Sequence, residues 1–198
     1  EIALGNAFGA DAINMFTLAA IAAVFGVGGL FRDQPRQTLV LALVTVVLGV
    51  ITVGVMATGD MVLGPSSVGG IIIAASYVGA MRVVYGAREQ EPQEPDGASD
   101  ADGSARGAWV GFGIASLAII AAAPVLAASA DGIATATGLS ASFVGILMVS
   151  IVTTLPEATV SVTAMLRHSP GLVIGNLFGS CAFNLFVVPV ADLAGPDA

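Results

Sequence analysis

The residues best suited to chemistry form a polar interruption in an apolar run: Thr-Thr-Leu-Pro-Glu at residues 153–157. The run covers about residues 142–165, which is long enough to span a bilayer and places Glu157 within about one turn of the membrane centre. An acidic side chain at that depth is unfavourable by roughly 2.5–3.5 kcal/mol even on lenient insertion scales. Glu157 therefore needs a proton, a cation or a buried partner to neutralise it.

Pro156 and the two threonines would add oxygen ligands beside this carboxylate. Proline has no N–H and its ring pushes against the carbonyl four residues back, so we expect the helix to open near Val152 and Thr153. Thr153 and Thr154 lie four and three residues before Glu157, which is the same helix face. Hydroxyls, freed carbonyls and a carboxylate together suit a hard cation such as calcium or sodium. The alternative is a purely structural kink, which is common in membrane helices.

Composition is that of a polytopic membrane protein. Apolar residues make up 56% of the chain and charged residues 10%, and the mean hydropathy is +0.94. We expect an all-α fold with about six transmembrane helices, at residues 2–31, 38–58, 68–85, 109–130, 142–165 and 172–193. A single cysteine excludes an internal disulfide, and a single histidine excludes a His-rich metal cluster. No nucleophile and base are paired, so we expect neither an enzyme nor a cofactor.

Residues 86–107 are rich in Pro, Gly, Ser and acidic residues, and they predict a disordered hydrophilic linker. The predicted divisions are thus residues 1–85, with three transmembrane helices, the linker 86–107, and residues 108–198, with three more. Six alternating spans place all six basic side chains on one side: Arg32, Arg36, Arg82, Arg88, Arg106 and Arg167. The positive-inside rule makes that side and the linker cytoplasmic. We therefore predict a multi-pass plasma-membrane protein whose partners are lipids and cations rather than nucleic acid.

An internal repeat indicates the architecture. Residues 5–16, GNAFGADAINMF, match residues 175–186, GNLFGSCAFNLF, at seven of twelve positions. The predicted topology runs the two copies in opposite directions across the membrane. Inverted repeats with broken helices and midplane polar groups are typical of secondary transporters that work by alternating access. Asn14 and Asn184 lie near the middle of their spans, where an amide can offer a neutral oxygen to an ion.

The two motifs together resemble the cation/calcium exchanger superfamily, which contains the sodium/calcium exchangers. Residues 139–186 are similar to the second α-repeat of this superfamily. That repeat has a Gly-Thr-Ser-Leu-Pro-Glu element followed by Gly-Asn-x-x-Gly-Ser-Asn-x-x-Asn/Asp. Residues 1–16 are similar to the closing half of the first α-repeat. The resemblance implies an inverted-repeat exchanger fold of ten helices, of which this chain would supply helices three to eight. It also implies that N-terminal helices of the same protein carry the first Leu-Pro-Glu element.

The site implied by the resemblance is centred on Glu157 as a cation ligand. Hydroxyl, carbonyl or amide oxygens would come from a further set: Thr153, Thr154, Ser180, Asn184 and Asn14. Thr154 replaces the usual Ser but keeps the hydroxyl, whereas Ala10 replaces a Ser and removes an implied sodium ligand. Asp11 and Cys181 replace the Asn that follows this Ser in each repeat, and Asp11 would restore negative charge near the site.

The implied activity is exchange of calcium for sodium by alternating access at a midplane carboxylate. The departures from the motif leave the counter-ion open, with protons as the second choice after sodium. Two other classes remain at this stage, a non-transporting membrane scaffold and a calcium channel. A scaffold would be indifferent to loss of the Glu157 carboxylate, and a channel would conduct without any counter-gradient.

Overall fold

The computed structural model describes residues 2–32, 34–57, 68–88 and 105–193. Within these ranges every regular element is a helix: α1 (Ile2–Phe25), α2 (Val27–Phe31), α3 (Arg36–Ala57), α4 (Val68–Arg88), α5 (Ala105–Thr137), α6 (Ala141–Val144), α7 (Ser150–Leu166) and α8 (Pro170–Leu193). Between α6 and α7 lies a short π-helix, Gly145–Val149, called the π segment below. The all-α prediction is confirmed.

Six helical stretches among the described residues are long and apolar enough to cross a membrane: Gly5–Phe25, Arg36–Ala57, Val68–Ala87, Trp109–Thr137, Gly145–Leu166 and Pro170–Val190. They correspond one to one with the six predicted spans. The chain is therefore a multi-pass membrane protein.

Some helix boundaries differ from those predicted. The first apolar segment is divided at Gly26, whose φ of 84° lies in the left-handed region that favours glycine. Helix α5 has 33 residues and continues well past the predicted end of its span. Helices α4 and α5 also extend into the ends of the predicted linker, since alanine and arginine there are good helix formers. Residues 89–104, the rest of that linker, lie outside the described residues.

Helix α8 is the centre of the packing and contacts α1, α2, α3, α4 and α7. One buried cluster joins Leu18 and Ile21 of α1 to Ile174 and Leu177 of α8. A second places Leu48 of α3 against α8. Helix α5 contacts mainly α6 and the π segment, at the edge of the bundle. The two copies of the repeat, on α1 and α8, therefore pack against each other, and α7 lies against both.

The predicted opening of the helix near Val152 and Thr153 is wrong in position. Helix α7 is continuous from Ser150 to Leu166 with Pro156 inside it. The irregularity is the π segment, where one extra residue is accommodated before α7 begins. The Ser150 hydroxyl and the Ser150 backbone N–H both donate to the Gly145 carbonyl, which stabilises this wider turn. A proline in a membrane helix is tolerated when neighbouring groups compensate for the missing bond.

Helix α1 makes its closest approach to the π segment at Gly9. A Cβ at this position would overlap Ser150 Oγ and the backbone of Ile146. We therefore expect Gly9→Ala to destabilise the protein by about 1–3 kcal/mol, the usual effect of forcing atoms into a packed contact. Thermal unfolding in detergent measures this effect.

The matched control for Gly9→Ala is Gly54→Ala on α3, since no atom lies within 4 Å of a Cβ built at Gly54. Removing a helical glycine there should leave the melting temperature unchanged or raise it slightly. Equal melting temperatures for Gly9→Ala and the unmodified protein would mean that the contact between α1 and the π segment is not tight.

Candidate functional site

One face of α7 carries a line of polar side chains at helical spacing. Ser150, Thr154 and Ser161 are all buried, and Glu157 lies between them on the same face. Intervals of four, three and four residues keep a set of side chains on one side of an α-helix. Because α7 packs against α1 and α8, this polar face is turned into the bundle.

Glu157 contacts Ser180 of α8, a residue that the resemblance places in the same site. Ser180 Oγ donates to Glu157 Oε1 across 3.5 Å, a long hydrogen bond. The other carboxylate oxygen, Oε2, is buried and has no hydrogen-bond partner among the described residues. A carboxylate inside a membrane span with an open oxygen is the arrangement that a cation or a proton completes.

Asn176 is a site residue that the sequence reasoning missed. Its Nδ2 donates to the backbone carbonyl of Glu157 and to Ser161 Oγ, each across 3.0 Å. A carbonyl can only accept, so this bond fixes which end of the amide faces α7. The sequence could have indicated Asn176, because it aligns with Asn6 at one of the positions that are identical in the two copies of the repeat.

Asn6, the repeat equivalent of Asn176, also binds α7. The Thr153 hydroxyl donates to Asn6 Oδ1 across 2.9 Å, and the Ser150 hydroxyl lies 3.2 Å from the Asn6 carbonyl. The two repeat asparagines thus hold α7 on either side of Glu157, one turn before it and one turn after it. This arrangement fixes the rotation of α7 and hence the direction of the Glu157 side chain.

For the calcium site that the resemblance implies, we expect Asn176→Ala to weaken calcium binding without abolishing it. The variant loses two hydrogen bonds that orient α7. At about 0.6 kcal/mol for each such bond in a membrane, the affinity should fall roughly five- to tenfold. Calcium-45 binding to the purified protein measures the change.

A matched control for Asn176→Ala is Thr159→Ala, since the Thr159 hydroxyl donates to Leu155 O of its own helix from the exposed side of α7. It should leave calcium affinity unchanged. If folded Asn176→Ala binds calcium as well as the unmodified protein, the asparagine supports stability alone.

The remaining predicted site residues form a second group, one turn further along α8. Asn184 Nδ2 donates to Asp11 Oδ1 across 2.9 Å. Cys181 lies against both Asp11 and Asn14. Asn14 is fully buried, and its amide lies beside the Cys181 side chain. The structure thus brings Ser180 to Glu157 but pairs Asn184 with Asp11.

These contacts are related by the internal repeat. The copies are offset by 170 residues, since Gly5 corresponds to Gly175. With this offset Asp11 corresponds to Cys181, and Asn14 corresponds to Asn184. The contact between Asp11 and Asn184 in one direction therefore corresponds to the contact between Cys181 and Asn14 in the other. Reciprocal contacts of this kind are what a two-fold relation between packed elements produces. The pattern supports a pseudo-two-fold axis between α1 and α8.

Comparison with known proteins finds a family that is similar to the C-terminal part of the chain. Residues 107–196, which include Glu157, Asn176 and Ser180, match the family described as sodium/calcium exchanger protein. This part of the chain is thus similar to the sodium/calcium exchangers. The predicted resemblance to the cation/calcium exchangers is confirmed, and the family is one of membrane transporters.

Two curated relatives are also similar to the chain. The chain is 24% identical over 196 residues to the inner membrane protein YrbG of Escherichia coli, an alignment that covers 95% of the chain and 58% of that protein. It is 39% identical over 69 residues to the sodium/calcium exchanger MaX1 of Methanosarcina acetivorans, covering 34% of the chain and 20% of that protein. The chain thus spans little more than half the length of the first relative and matches a fifth of the second. No solved structure gives a significant match.

Proposed function

We propose that this protein is a secondary active transporter that exchanges calcium for sodium across the membrane. The observation that carries the proposal is the Glu157 carboxylate, which lies in a membrane span with its Oε2 buried and unpartnered among the described residues. The match of residues 107–196 to the exchanger family and the name of the archaeal relative support the same activity.

Calcium would bind between α7 and α8. Glu157 supplies the charge, Ser180 is already within reach of its carboxylate, and Thr154 is buried on the same face of α7. Thr153, whose hydroxyl donates to Asn6 Oδ1, would add a further oxygen ligand on the basis of the resemblance alone. Oxygen ligands from carboxylate and hydroxyl groups are those that calcium and sodium prefer.

Exchange follows from the charge of an empty site. An unloaded Glu157 carboxylate is unfavourable inside the membrane, so the rearrangement that moves the site between the two sides should proceed only with a cation bound. Calcium and sodium would then compete for the same carboxylate, so that the movement of sodium down its gradient is coupled to the movement of calcium in the opposite direction. Coupling to protons is the alternative for the counter-ion. We place the protein in the plasma membrane with its arginine-bearing turns and the linker in the cytoplasm.

The test is calcium-45 uptake into proteoliposomes containing the full-length protein, with an outward sodium gradient, an outward proton gradient or no gradient. We expect uptake that requires the sodium gradient. Uptake that requires the proton gradient instead would mean that the counter-ion is the proton and not sodium. Uptake without any gradient would favour a channel, and none from folded protein would favour a scaffold.

A further inference from the structure

A second carboxylate, that of Asp11, lies one helical turn of α8 away from the Glu157 site. Ser180 and Asn184 are four residues apart and share one face of α8. Ser180 Oγ donates to Glu157 Oε1 across 3.5 Å, and Asn184 Nδ2 donates to Asp11 Oδ1 across 2.9 Å. Since side chains at this spacing have Cβ atoms about 5–6 Å apart, the two carboxylates are separated by on the order of 10 Å. At that separation Asp11 acts on an ion at Glu157 through its charge.

The hydrogen bond from Asn184 leaves the charge of Asp11 intact. An amide is neutral, so its N–H satisfies one carboxylate oxygen without cancelling the negative charge. Asp11 lies in α1 within the membrane span Gly5–Phe25, where a charge is not surrounded by bulk water. The ionised Asp11 therefore adds a unit of negative charge close to the Glu157 site.

The surroundings of Asp11 screen this charge only weakly. A cavity of about 160 Å³ lies beside it, between α1, α3 and α8, and is lined mainly by apolar side chains such as Met15, Val46 and Leu185. In apolar surroundings a charge acts over a longer distance than in water. With an effective dielectric constant of about 20 and a separation of about 10 Å, one unit charge changes the affinity for a monovalent cation roughly tenfold.

We propose that Asp11 determines the preference of the Glu157 site for divalent over monovalent cations, through its charge and from outside the ligand shell of the ion. This inference rests on the proposed function, because it takes Glu157 as the cation site. The energy of a fixed charge with an ion is proportional to the charge of the ion. The factor that Asp11 contributes to calcium affinity is therefore the square of the factor that it contributes to sodium affinity.

The test compares three ions of increasing charge in Asp11→Asn, which keeps the size of the side chain and can still accept the hydrogen bond from Asn184. Calcium-45 binding to the full-length protein in detergent gives the calcium affinity. Displacement of calcium-45 by sodium or by lanthanum gives the inhibition constants of those two ions. We expect the affinity to fall roughly tenfold for sodium, roughly a hundredfold for calcium and further still for lanthanum, so that the logarithm of the loss is proportional to the ionic charge.

Asp131→Asn is the matched control, because it removes the same charge from an exposed position on α5, at the edge of the bundle. It should leave the affinities for all three ions unchanged. Asp11→Glu keeps the charge and should retain the preference for calcium over sodium. Circular dichroism confirms that each variant is folded. If Asp11→Asn does not fold, Asp11→Ser removes the same charge with a smaller side chain, and the same comparison of ions decides.

Unchanged affinities in folded Asp11→Asn would overturn the proposal. So would an equal loss for all three ions, since that is the result of a structural defect. If sodium does not displace calcium, the comparison of lanthanum with calcium decides. Glu157→Gln separates the failure of this proposal from that of the proposed function. Calcium binding that survives in Glu157→Gln would overturn both, whereas binding that is lost there but unaltered in Asp11→Asn would overturn only the role of Asp11.

Discussion

Glu157→Gln should abolish calcium transport and reduce calcium binding to background. The substitution keeps the size of the side chain and its reach to Ser180 but removes the charge that a bound cation neutralises. Calcium at an uncharged site inside the membrane would carry its two positive charges uncompensated, which is strongly unfavourable. Calcium-45 binding to the purified protein and uptake into proteoliposomes report the two losses.

Thr159→Ala is a suitable control for Glu157→Gln, because it alters α7 two residues away on the exposed side without touching the polar face. It should bind and transport calcium normally. Transport that persists in Glu157→Gln at an appreciable fraction of the wild-type rate would show that the cation is carried elsewhere in the protein.

Ser180→Ala should have the second largest effect, a loss of calcium affinity of about ten- to a hundredfold. The Ser180 hydroxyl is the described side-chain group that hydrogen-bonds the Glu157 carboxylate. Groups that orient a metal-binding carboxylate typically contribute this much to affinity. Because the hydroxyl sets geometry rather than charge, we expect the maximal rate to fall less than the affinity. A calcium dependence of uptake separates the two parameters.

Ser129→Ala is the matched control, since the Ser129 hydroxyl donates to Val125 O within α5, on an exposed part of that helix. Calcium affinity should not change there. Ser180→Thr keeps a hydroxyl at the same carbon and should recover part of the affinity. An affinity in Ser180→Ala equal to that of the unmodified protein would mean that calcium does not bind between α7 and α8.

The sequence predicts the membrane spans because hydropathy is a local pattern, and six spans are found. Glu157 stands out in the sequence as an acid inside a span, whereas Ser180 was indicated only by the resemblance to the exchangers; the structure brings the two side chains together. The roles of Asn6 and Asn176 could not be predicted in the same way. The repeat singles them out as identical, but only the packing of α7 between α1 and α8 shows which atoms they contact.

Three other features depend on helix register, which one sequence does not reveal. The π segment accommodates one extra residue in an apolar stretch, and such an insertion leaves no trace in hydropathy. The expected opening at Pro156 does not occur because α7 is held from outside, by side chains of α1 and α8. Asn184 contacts Asp11 rather than Glu157 because α1 and α8 pack at the level of their repeated motifs.

Competition between sodium and calcium for one site is the central claim, and equilibrium binding tests it most directly. Calcium-45 bound to the purified full-length protein is measured at increasing sodium concentration, with choline replacing sodium to hold the ionic strength constant. We predict that sodium displaces calcium competitively, raising the apparent dissociation constant without lowering the number of sites. Bound calcium that does not respond to sodium would contradict a shared Glu157 site.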